Sequence, residues 1–109
     1  MIFYFLTGSL FLLLMINSIP TALAEDFQTH MNEWNEKRVL ASQYLLDAEK
    51  FLKEGDKAKG CSKQREASQY GIQATESLIK AMKINDSTDG LENFESGLKK
   101  WRELGDFCE

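Results

Sequence analysis

The chain has 109 residues, with 13 Lys or Arg against 17 Asp or Glu and a formal net charge of −4. An acidic balance with no basic face argues against docking on nucleic acid or on an anionic lipid surface. One histidine and two distant cysteines cannot supply a tetrahedral metal site, and no cofactor is expected.

Residues 1–24, MIFYFLTGSLFLLLMINSIPTALA, contain none of the 30 charged side chains. The apolar run breaks at Pro20, and Ala22-Leu23-Ala24 makes an Ala-x-Ala cleavage pattern. Thr7, Gly8, Ser9, Asn17 and Ser18 interrupt a stretch that only approaches the roughly 20 residues needed to span a bilayer. These features predict a signal peptide over 1–24, cleaved before Glu25, rather than a retained anchor. The mature protein is then exported, periplasmic or extracellular, with no stable membrane association. An even cysteine count in an exported chain predicts one disulfide, Cys61–Cys108.

Residues 25–109 are expected to form one helical domain. No proline follows Pro20, runs of Val, Ile and Thr are missing, and Ala, Leu, Glu, Lys and Gln abound. The first helix is placed over about 26–54. Its inward stripe is Phe27, Met31, Trp34, Ala41, Leu45, Ala48 and Leu52, at alternating steps of three and four. Arg38 is the one polar member of that stripe. Gly55 predicts a left-handed cap, and Asp56 can cap the next helix.

The second helix is placed over about 57–84. One row reads Cys61, Arg65, Ser68, Ile72, Thr75, Ile79, Met82, and the adjacent row reads Ala67, Gly71, Ala74, Leu78, Ala81. The segment NDSTDG then breaks the pattern, with Asp86 or Ser87 as the expected N-cap of a third helix over about 88–104. That helix carries Leu91, Phe94, Leu98, Trp101 and Leu104 on one face, and Gly105 is expected to stop it. The fold class is all-α: a small antiparallel three-helix bundle, up-down-up, stapled by one disulfide.

The spacing supports the staple independently. Cys61 lies 24 residues before a turn centred near residue 85, and Cys108 lies 23 after it. In an antiparallel pair those positions reach the same level. The same mirror relation sets Trp101 opposite Ser68, flanked by Ala67 and Gly71, so that small residues leave room for the indole.

No glycine-rich phosphate loop, Cys-x-x-Cys, haem-attachment or nucleophile-elbow motif is present. His30, one turn from Glu33, reads as an exposed polar residue, and the acidic residues read as a solvated face. Arg38 and Arg65 fall in apolar seams. They read either as snorkelling side chains or as inward charges that fix register or hold an anion. Val39, Leu40, Tyr44 and Tyr70 lie partly off the main stripes and mark a candidate interface, unless they simply widen the stripes. The expected function is therefore non-enzymatic: an exported protein-interaction module (inhibitor, immunity, adaptor or chaperone-like) that binds a protein partner or a second copy of itself. The alternative is a small-molecule or haem carrier using the bundle interior.

Overall fold

Proline-free sequence rich in helix formers makes two long segments and a shorter third, and each break between them carries turn chemistry. The computed structural model describes residues 21–87 and 89–108. Within them it has three helices, α1 (Thr21–Lys53), α2 (Lys57–Ile84) and α3 (Leu91–Asp106), and no strand. The expected leader falls largely outside the described residues. Its last four residues, Thr21 to Ala24, form the first turn of α1, since nothing between Thr21 and Lys53 interrupts a helix. No helix among the described residues is long and apolar enough to cross a membrane.

The first break is a left-handed cap. Gly55 has φ 84°, Asp56 N–H donates to Phe51 C=O at 2.9 Å, and Gly55 N–H donates to Leu52 C=O at 3.1 Å. This pair of bonds satisfies carbonyls that the end of α1 would otherwise leave open. Asp56 then accepts from the Lys59 N–H at 3.1 Å and caps α2.

The second break repeats the device without a glycine. Asp86 takes φ 52°, while Ser87 N–H donates to Met82 C=O and Asp86 N–H to Lys83 C=O. Asp86 thus belongs to the end of α2 and does not cap α3. The N-cap of α3 is Gly90, at φ 79° and with no side-chain cap. Ser87 does not serve there either, and Thr88 lies outside the described residues. At the far end α3 continues through Gly105 to Asp106. Gly105 is kept small by its neighbour: a Cβ there would come 2.5 Å from the Ser68 hydroxyl oxygen.

α2 is the shared element. It lies along both other helices, whereas the backbones of α1 and α3 do not run close together. Side-chain pairs between α1 and α2 step outwards from the Gly55 turn: Leu52 with Gly60, Tyr44 with Tyr70, Glu33 with Ser77. Between α2 and α3 the pairs are Ser68 and Gly71 with Trp101, Gln64 with Leu104, and Cys61 with Cys108. The disulfide joins Cα atoms 5.4 Å apart, within the ordinary range for such a bond.

The core consists of small side chains. Ala41 and Ala48 of α1 and Ala67, Ala74 and Ala81 of α2 are its buried apolar members. Gly60, Gln64, Ser68, Gly71 and Ser77 complete the buried face of α2. Small residues let helix axes approach, and the larger side chains then spread along the edges of each contact. Leu45 and Leu52, expected to face inward, are accordingly 38% and 39% exposed. On α3, Leu91, Phe94, Leu98, Trp101 and Leu104 form the less exposed face, as their spacing predicts, yet none is fully buried.

The three buried polar residues of α2, Gln64, Ser68 and Ser77, each find a hydrogen-bond partner. The Gln64 side-chain amide donates to Leu104 C=O at 3.0 Å and satisfies one of the open carbonyls at the end of α3. The Ser68 hydroxyl donates to Trp101 C=O, and the Ser77 hydroxyl donates to Glu33 at 3.1 Å. Each bond removes the penalty of a buried unpaired hydroxyl or amide.

Candidate interaction surface

The residues singled out in the sequence do not gather in one place. Tyr44 and Tyr70 face each other across α1 and α2, with ring centroids 5.4 Å apart and planes within 10°. Lys63 covers the outer face of this pair at 5.1 Å from the Tyr44 centroid, and Lys37 lies 5.3 Å from that of Tyr70. A lysine stem over a ring is both a cation–π contact and a hydrophobic cover. The two tyrosines therefore seal an internal seam and leave little aromatic surface for another molecule. Val39 is exposed and Leu40 is half-buried.

Arg38 and Arg65 are both exposed, not inward. Arg38 bonds Asn35 one turn earlier at 2.6 Å and lies 5.0 Å over the Trp34 ring. The aromatic face draws the guanidinium along the helix surface, so a seam position in sequence becomes a lid over Trp34. Arg65 faces a surface cleft of about 380 Å³ between α2 and α3, together with Gln69, Ile72, Arg102 and Asp106. It reaches the solvent side of the row that buries Ser68.

His30 is half-buried, with Nδ1 3.5 Å from a Glu33 carboxylate oxygen and enclosed without a hydrogen-bond partner. The same Glu33 oxygen accepts from Ser77. Serine, carboxylate and imidazole thus sit in that order. A nucleophile–base pair needs the imidazole on the serine hydroxyl, and here the carboxylate occupies that position. Among the described residues, no cluster of three His, Cys, Asp or Glu side chains is arranged to hold a metal ion.

What remains is the outer side of α1. No protein-family model, curated protein or solved structure matches the chain. The chemistry of its own surface therefore carries the functional argument. Val39 and Leu46 occupy one outward face with Gln43 between them, at positions i, i+7 and i+4, and Leu46 is 66% exposed. On the flank nearer α2, Leu45, Ala48 and Leu52 line a groove of about 460 Å³, rimmed by Glu49 and Lys53 and bounded by Gln64 of α2. Periodicity alone assigns Leu45 and Leu52 to the core. The signal that separates them is the size of their neighbours. Ala41, Ala48 and Gly60 draw the two backbones together and leave no depth for a leucine.

Proposed function

We propose that this protein is an exported, non-enzymatic interaction module that works by surface binding, using the apolar outer side of α1. The observation that carries the reading is the exposure of Val39, Leu45, Leu46 and Leu52 within one half of a single helix. Large apolar side chains this close together cost solubility in a small acidic domain unless another surface covers them. The partner is a protein, in the manner of an inhibitor, immunity factor, adaptor or chaperone.

The supporting architecture is an up-down-up arrangement of the three helices. The pairs that step outwards from each turn, 52 with 60 and 44 with 70, then 61 with 108 and 68 with 101, are those of antiparallel neighbours. Export accords with the uncharged leader and its Ala-x-Ala pattern, and a disulfide is compatible with an oxidising compartment. The interior, filled by alanine, glycine and serine, offers nothing that favours a small-molecule or haem carrier.

A photo-reactive residue at Gln43, installed in the producing cell, tests the reading. The expected result is a crosslinked protein adduct that disappears when Val39→Glu and Leu46→Glu are introduced together. An adduct that survives both substitutions, or none at all, defeats the proposal.

A further inference from the structure

The groove on α1 has a counterpart on the same chain. Phe107 is 84% exposed, more than any other large apolar side chain among the described residues. It does not dangle. Asp106 before it is the last residue of α3, and Cys108 after it is bonded to Cys61. The ring is thus mounted between a helix end and a disulfide, which lowers the entropy lost when it docks.

Groove and ring belong to the same end of the molecule. Leu52, in the groove wall, meets Gly60; Gly60 adjoins Cys61; and Cys61 holds Cys108 beside Phe107. The rim of the groove carries one charge of each sign, Glu49 and Lys53, and Phe107 is preceded by Asp106. Lys53 bonds Glu49 at 3.0 Å, but both are mostly exposed, and such a surface pair exchanges readily for a better one.

Building on the surface-binding reading above, we infer that two copies of this chain form a symmetric dimer. In it, Phe107 of each enters the Leu45–Ala48–Leu52 groove of the other. An aromatic anchor and an apolar receptor on one chain make a self-complementary patch. Placement at one end allows a two-fold axis to satisfy both contacts at once and so close the assembly. Lys53 at the rim of one copy is then free to leave Glu49 for Asp106 of the other, which sets the register of the two chains.

The experiment is sedimentation velocity with light scattering on the protein expressed from its full sequence, with its disulfide formed. A discrete dimer that dissociates on dilution is expected. Phe107→Ala and Leu45→Lys, each alone, should weaken it by about tenfold or more without changing the circular dichroism spectrum. Mixing the two variants should partly restore dimer, because the alanine chain keeps its groove and the lysine chain keeps its phenylalanine. A monomer at all concentrations up to about 1 mM would overturn the inference. So would an open-ended ladder of oligomers, or a dimer indifferent to both substitutions. An adduct at Gln43 that persists in the Phe107→Ala variant separates the two proposals, since it preserves the surface-binding reading when the dimer alone fails.

Discussion

The two sides of α2 solve the same problem differently. Against α1 it has a long partner, and the contact is repetitive: alanines at Ala41 and Ala48, a tyrosine stack with its covering lysines, and a hydrogen bond from Ser77 to Glu33. Against α3 it has a partner of 16 residues, none of them fully buried. There the contact is pinned, by the disulfide, by Ser68 on the Trp101 carbonyl, by Gln64 on the Leu104 carbonyl, and by the indole on Gly71. A long helix can be held by many weak contacts. A short one that buries little apolar surface needs a few strong ones.

The sharpest way to break that contrast is to remove the indole. Trp101→Ala should cost about 3–5 kcal/mol in a denaturant melt, because it empties the space that Gly71 is kept small to provide. A loss below about 1 kcal/mol would mean that α3 is not held by packing at Gly71. The reciprocal change, Gly71→Ala, should also destabilise, since a Cβ at that position collides with the indole ring.

The disulfide comes next. It closes a separation of 47 residues, for which chain entropy gives about 4 kcal/mol. Replacing Cys61 and Cys108 together by alanine should lower stability by roughly that amount and free the end of α3 first. Amide exchange along α3 would report this, with α1 and the first turns of α2 less affected. Equal thermal transitions for the oxidised and reduced forms would contradict the pinned description of this interface.

On the α1 side the effects should be smaller and shared. A double-mutant cycle on Tyr44→Ala and Tyr70→Ala should give a coupling of about 0.5–1.5 kcal/mol, the value of a stacked aromatic pair. Neither tyrosine change alone should approach the loss at Trp101, because Ala41, Ala48 and Gly60 continue to hold the backbones together.

The pinned interface is also the more legible one in the sequence. The level of Cys108 with Cys61, and of Trp101 with Ser68, comes from helix rise and the position of one turn alone. Neither quantity depends on side-chain size. The α1–α2 seam depends on size throughout. Periodicity marks the middle of a stripe but not how deep it lies, so Leu45 and Leu52 read as core and emerge at the edge of an alanine contact. Tyr44 and Tyr70 read as either a widened stripe or a candidate interface, because a one-helix view cannot see a ring on the facing helix. Arg38 and Arg65 read as seam residues for a different reason. A long side chain anchored in a seam can leave it within its own length. Of the candidate surface, Val39 is legible in the sequence and the groove is not.

The two turns offer the finest comparison, since both end a helix with the same pair of hydrogen bonds but with different residues in the left-handed position. Gly55 meets nothing within 4 Å at its missing Cβ, so Gly55→Ala tests backbone strain alone. It should cost about 1 kcal/mol. Asp86 bears that strain already, at φ 52°. Asp86→Gly should therefore relieve it and raise stability by up to about 1 kcal/mol, less a few tenths for the extra freedom of glycine in the unfolded chain. Urea midpoints of the two variants should move in opposite directions. If Asp86→Gly instead destabilises, the aspartate side chain is contributing to the turn by more than its backbone costs, and the second turn is held by different forces from the first.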